Sequence, residues 1–155
     1  MKPLKKSKIK FICALSLDQP WGHMIVQNKM NVESRRWTTK RRGTIAIHAT
    51  AKKSKHEFEW IKENFKVNLS LENVAFGSVI GFANLVDVID EKKVTSKTRK
   101  WFIGPFGFVL ENIVVLPTPV PAKGNRKFWH LKGRPLMHCL DQLSSAEIKK
   151  FRKFV

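Results

Sequence analysis

Glu33 and Arg35 stand two residues apart in the stretch Asn31 to Trp37, and that spacing is the first feature of the chain that suggests chemistry. Alternate residues of an extended strand share a face, so a carboxylate and a guanidinium are offered to one cleft. Two readings fit these residue types. One is a structural ion pair; the other is a pair that orients a base or a phosphate, because arginine's planar fork matches such acceptors. His48 ends the next apolar strand on the same face as Thr44 and Ala46, a face that could look into the cleft, although a hydrogen-bonded structural histidine fits the position as well. Were the chain an enzyme, its catalytic candidates would be Lys29, Glu33 and His48, with Glu33 as base and His48 or Lys29 as acid. It holds no glycine-rich phosphate loop, no nucleophile elbow and no CxxC pair or metal-spaced cluster, so neither a metal nor a cofactor is expected.

A second set of residues points to binding. Arg35, Arg36, Lys40, Arg41, Arg42, Lys52 and Lys53 place seven cations between positions 35 and 53, with Trp37 among them. Lys123, Asn125, Lys127 and Trp129 repeat the mixture near the other end, and Trp21 stands before the cleft. Cations interleaved with aromatics are what a single strand needs: positive charge to track phosphates, rings to stack on bases. Each residue also has a plainer reading, a solvated face for the cations and a core position for Trp21 at helical spacing from Met24 and Ile25.

Composition supports the binding reading. Thirty Lys and Arg against twelve Asp and Glu give a net charge of +18 on 155 residues. That exceeds what solubility asks for and favours a polyanionic partner, with nucleic acid favoured over a membrane. The length suits one domain, and 43% hydrophobic residues argue against wholesale disorder. No apolar run approaches a membrane span and Ile9 to Leu17 is too short for a secretion signal, so a cytoplasmic protein, monomeric by default, is expected. Cys13 and Cys139 sit far apart among apolar neighbours and read as buried thiols.

The elements that must position these residues follow from pattern. Residues 1–10 form a mobile basic arm with five lysines. A buried strand runs into Leu17, then a helix over 19–27 with Asp18 as its cap and Pro20 in its first turn. After the Glu33 strand, the turn 38–43 and the His48 strand, Ser54 and Glu57 form a capping box that opens a helix with Phe58, Ile61 and Phe65 inside. Strands are expected over 78–89, 106–111, 113–116 and 128–131, the last closing a barrel. Beyond it Ser144 and Glu147 cap an amphipathic helix with Ile148 and Phe151 inward, packed on the barrel. Residues 11–132 thus make the domain and 133–155 an extension.

The motifs QPW, V-E-x-R-x-W, x-x-R-G and I-x-I-H-A, in that order, resemble the ASCH family of the PUA-like superfamily. The resemblance continues in GSVIGFANLVDVI (77–89), WFIGPFGFVLEN (101–112) and PTPVPAKGNRKFWHL (117–131), spanning roughly Phe11 to Leu131. It implies an α+β PUA-like small β-barrel of about six strands with two or three peripheral helices, and engagement of RNA, favoured over DNA, at a cationic cleft. The family pattern Gly-x-Lys-x-x-Glu-x-Arg, registered on Glu33 and Arg35, puts Asn28 at its glycine and Met30 at its lysine. Some relatives hydrolyse acetylated cytidine using a Lys and a Thr on this segment. Met30 and Glu33 stand at the matching positions, and a thioether can neither polarise nor deprotonate a substrate. Ribonuclease activity, also associated with ASCH proteins, and binding of proteins through the aromatic surface are the alternatives to nucleic-acid binding.

Overall fold

The computed structural model describes residues 4–155, so Met1 to Pro3 of the basic arm lie outside the described residues. The described residues form six strands and four α-helices in the order β1 (Phe11–Leu17), α1 (Trp21–Val26), β2 (Val32–Arg35), β3 (Gly43–Ala49), α2 (Lys55–Phe65), β4 (Ser78–Ile89), β5 (Phe106–Pro121), β6 (Phe128–Lys132), α3 (Gly133–Leu140) and α4 (Ser145–Ile148). The strands make one sheet in the order β2-β5-β4-β3-β1-β6. Only β1 and β3 run parallel. The curled, α+β, PUA-like sheet expected from the motifs is present.

The sheet curls around one core and carries a second on its back. Leu15, Leu17, Ile45, Ile47, Leu85 and Phe108 pack inside the curl. Ala14, Ala46, Phe82 and Leu131 face outward and are covered by Leu136, Cys139, Ile148 and Phe151 of the C-terminal segment. The central strands β1 and β3 are therefore buried on both faces, which is why they are largely apolar, with Ser16, Thr44 and His48 as their polar residues. Cys13 and Cys139 are free and buried, as their neighbours in sequence indicated.

The curl does not close by a ladder. β6 pairs only with β1 and β2 only with β5, so the expected barrel closure by Phe128 to Leu131 gives way to side-chain contacts across the gap. Arg35 donates from Nη2 to the Ser16 carbonyl at 2.8 Å. Trp37 meets Phe128 edge-on, centroids 5.2 Å apart. Because the sheet stays open, β2 keeps a free edge.

Several local expectations are corrected. Asp18 does not cap α1: its carboxylate accepts from the Thr50 hydroxyl at 2.7 Å and lies 3.8 Å from Lys52. The start of α1 is served by Gln19, whose buried amide accepts from His23 N–H and donates to the Ala75 carbonyl, both at 2.8 Å. Pro20 stands at the cap itself. Neither half of the capping box forms at α2: Ser54 makes no side-chain cap bond, and the Glu57 carboxylate accepts from the Trp21 indole at 3.0 Å. The strands expected over 106–111 and 113–116 fuse into β5, which runs on through Pro117, Pro119 and Pro121. Alternate residues direct their N–H to the same edge, so these prolines remove donors from one side only.

The termini pack together. Leu4 N–H donates to Phe151 at 3.0 Å, and Lys6–Lys8 form a 3-10 turn. The Ser144–Glu147 capping box is present, but the helix it opens stops at Ile148. Phe151 then turns inward and is 1% exposed. The tail continues extended beside β3: Thr44 N–H donates to Arg152 at 3.0 Å, and Arg42 and Val155 exchange bonds of 2.7 and 2.9 Å. Among the described residues no helix is long and apolar enough to cross a membrane.

Gly43 makes that tail possible. Its φ is +131°, and a Cβ there would lie 2.3 Å from the Lys153 carbonyl oxygen. Gly133 also has positive φ, +65°, but nothing within 4 Å of an added Cβ. Gly43→Ala should therefore lower the free energy of unfolding by about 3 kcal/mol or more, combining overpacking with backbone strain, whereas Gly133→Ala should cost about 1 kcal/mol of strain alone. Urea unfolding of the two variants compares them directly.

Candidate functional site

β2 sets the site because it is short, at an edge, and held from outside. The Ser34 hydroxyl accepts from Ile103 N–H at 2.9 Å, which pins the loop before β5 against it. Glu33 pairs across with Phe108 and Arg35 with Phe106, so both charged side chains face into the curl as their spacing implied. Glu33 Oε1 is 3.4 Å from Arg35 Nε, and that nitrogen is buried without a hydrogen-bond partner. Burial pushes the Glu33 carboxyl up to about 7, and Asp18 adds to the rise while Arg35 opposes it.

Along the free edge of β2 lies a cavity of about 190 Å³. Glu33 and Glu57 are among the residues that line it, with Met30, Val32 and the aromatic residues Trp21, Phe65 and Trp101. Trp21 is fixed by its bond to Glu57 and by an edge-on contact with Trp60. Lys100 lies at the rim with Nζ 4.8 Å above the Trp101 ring and 5.8 Å above Phe65. Glu57, Phe65 and Lys100 were not singled out as site residues from sequence. The sequence pattern places Glu57 in a helix cap and Phe65 in a core stripe, and it gives Lys100 no distinguishing neighbour.

The proposed acid–base set is not assembled. Met30 lines the cavity, while Lys29 is exposed and lies beside His23, whose proton affinity falls through burial and then through the Lys29 charge. Asn28 takes φ 57° at the family's glycine position, a conformation asparagine tolerates better than most residues. His48 is 2% exposed and sits on the outward face of β3, away from Glu33. Its ring is fully used: Nε2 donates to the Ala122 carbonyl at 2.6 Å and Nδ1 accepts from the Ser16 hydroxyl at 3.0 Å. Ser16 in turn accepts from the Trp129 indole at 3.0 Å. Burial lowers the His48 pKa against the bond to Ala122, leaving a neutral imidazole that is structural. Gly124 closes over this chain of bonds; a Cβ there would meet His48 and Ser16 at 2.6 Å.

The cations divide into those already engaged and those free to meet a partner. Arg35 is tied inside; Arg42 bonds Thr39, Arg41 and Asp87. Lys52 faces Asp18, and Lys53 lies 5.4 Å above Phe76. Arg36 and Lys40 are exposed. At the free edge of β6 the mixture is dense: Arg41 lies 4.2 Å above Phe154 and 5.8 Å above Phe128, and Lys127 lies 5.8 Å above Trp37. Beside them opens a depression of about 710 Å³ lined by Lys123, Asn125, Phe128, Trp129 and Lys132. Among the described residues only Arg35, Arg42, Lys52 and Arg99 come within 4 Å of an acidic group, so most of the positive charge is uncompensated.

A curled six-stranded sheet with a largely apolar cavity beside β2 and cations and aromatic rings along its rim defines a small PUA-like α+β domain. The ASCH domain family model matches residues 15–144, and the chain belongs to that family. It is 31% identical over 130 residues to human Activating signal cointegrator 1, covering 77% of this chain and 22% of that protein, and 28% identical over the same length to its mouse counterpart. The chain thus spans about a fifth of the curated relatives it matches. In structure it is similar to ASCH from Zymomonas mobilis, at 18% identity and a TM-score of 0.50, covering 88% of this chain and 98% of that one.

Glu33 gives a measurable signature. Its folded pKa of about 7 stands above the ordinary 4.5. The folded state then binds more protons than the unfolded state between those values, so the contribution of Glu33 to stability is full below pH 4.5 and declines as pH rises toward 7. The decline is at most about 3 kcal/mol. Glu33→Gln should remove this part of the pH dependence of urea unfolding, leaving the variant relatively more stable at pH 8 than at pH 4.

Proposed function

We propose that this ASCH domain binds single-stranded nucleic acid, RNA in preference to DNA, along the rim formed by the turn 38–43, the turn 123–127 and the free edge of β6. The observation that carries the reading is the depression beside Trp129, where Lys123 and Lys132 flank an aromatic wall and no acidic side chain lines the opening. The Trp129 indole is anchored through Ser16 to His48, so its ring is held in place before any base arrives. Stacking on a fixed ring contributes roughly 1–3 kcal/mol per base. Arg36, Trp37, Lys40, Arg41, Lys123, Asn125, Lys127 and Trp129 are the contacting residues in this reading, joined by Phe128 and Lys132. Arg35 and His48 serve it from within by fixing the edge of β2 and the ring of Trp129.

The hydrolytic alternative needs a proton donor opposite Glu33. Neither Lys29 nor His48 takes that place, so binding explains more of the site than catalysis does. Membership of the family, and similarity to part of Activating signal cointegrator 1, agree with work on or near nucleic acid.

Titration of a short single-stranded RNA against salt tests the proposal. Contact with about five phosphates should give a log–log slope near −3.5. Lys123→Glu combined with Lys132→Glu should weaken binding at least tenfold and flatten the slope, and Trp129→Phe should cost less than Trp129→Ala. A slope near zero, or affinity unchanged by the double reversal, would refute it.

A further inference from the structure

The start of β1 and the C-terminal tail enclose a groove unlike the rim. β1 pairs with β3 only from Ala14 onward, and before that point the Thr44 N–H bonds Arg152 of the tail. Leu4 is bonded to Phe151, so the N-terminal segment crosses the same place. Between these segments lies a groove of about 480 Å³, large enough for a few side chains. Leu4, Ile9, Ile12, Cys13 and Phe154 give it an apolar lining, together with Phe11, which is half-exposed. Lys5, Lys8 and Lys10 also line it from the N-terminal segment, and Arg152 and Lys153 from the tail, with no acid among them. Among the described residues none of these five cations comes within 4 Å of a carboxylate. The Arg152 guanidinium is held by the carbonyls of Lys149 and Phe151 at 2.6 and 2.9 Å, so its charge is fixed in place and uncompensated.

We propose that this groove docks an acidic segment of a partner protein, one in which a few aliphatic or aromatic side chains are flanked by Asp or Glu. Burial of the apolar side chains holds the segment, and cations contributed by two separate stretches of chain fix carboxylates on either side of it. Nucleic acid suits the groove less well than it suits the rim. Both rings here already have a partner: Phe11 stacks on His130 with centroids 4.1 Å apart, and the Arg41 guanidinium lies 4.2 Å above Phe154. A base therefore gains little by stacking. Thr44, the one hydroxyl in the lining, donates to Asn84 and accepts from the Arg152 N–H, so it offers nothing to a base edge. A bilayer is flat where this surface is concave, and a fatty acid carries one charge where five cations stand. The inference does not depend on the nucleic-acid reading.

Fluorescence anisotropy with short labelled peptides and the full chain tests the groove. A peptide alternating Glu with Leu and Phe should bind about tenfold more tightly than the same peptide with Ser in place of Leu and Phe, and tighter still than one with Lys in place of Glu. Lys8→Glu combined with Lys153→Glu, both exposed positions, should weaken the first peptide about fivefold or more. Phe11→Ser should also weaken it. Lys123→Glu should leave it unchanged, because Phe11 pairs with Lys132 at the opposite end of β6 from the turn 123–127. Equal binding of the Leu/Phe and Ser peptides, or an affinity indifferent to the Lys8 and Lys153 reversals, would overturn the proposal. So would phosphatidylserine vesicles or single-stranded RNA that displace the peptide and lose as much affinity as it does in that double variant. Peptide binding absent while RNA still binds defeats the groove and leaves the rim; peptide binding without RNA binding does the reverse.

Discussion

The side chain of Arg35 spans the gap that the backbone leaves open. β2 and β6 are the two edges of the sheet, and no main-chain ladder joins them. What draws the curl together is one guanidinium reaching the Ser16 carbonyl, with Trp37 wedged against Phe108 and Phe128. Arginine suits this position because it cannot lose its charge and because its long planar side chain reaches across the gap. The same side chain lies against Glu33, so the architecture of the domain and the electrostatics of its cavity share a residue.

Two cores divide the labour. The inner one shapes the cavity, and the outer one, sealed by α3 and the tail, keeps the central strands dry on their second face. Between them run a few polar links that tie segments distant in sequence. Thr44 bonds Asn84, whose amide reaches the Lys150 carbonyl at 3.0 Å, so the tail is bonded to the middle of the sheet as well as packed on it. A buried polar group left alone is costly, and these links leave few such groups.

Much of this was legible in sequence. The paired faces of Glu33 and Arg35, the buried run of β1, the stripe of α2 and the Ser144 capping box are each fixed by neighbours within a few residues. Asn28 was flagged by its place at a glycine position, and its backbone conformation shows why asparagine serves there. What could not be read depended on partners far along the chain. Asp18 looks like a cap until Thr50 and Lys52 claim its carboxylate; Glu57 looks like half of a capping box until Trp21 does the same. His48 had the right alternation but an unreadable destination. Which face of β3 meets the cleft is decided by the C-terminal segment covering the other, 85 or more residues downstream.

Gly124 sits on the Ser16–His48 pair with no room for another atom, and this fixes the height and tilt of the turn that carries Lys123 and Asn125. A turn seated in this way has little freedom left to surrender. In the proposed complex, binding at that point would require almost no ordering of the protein, so the encounter would be governed by how fast opposite charges find one another and the lifetime by the rings.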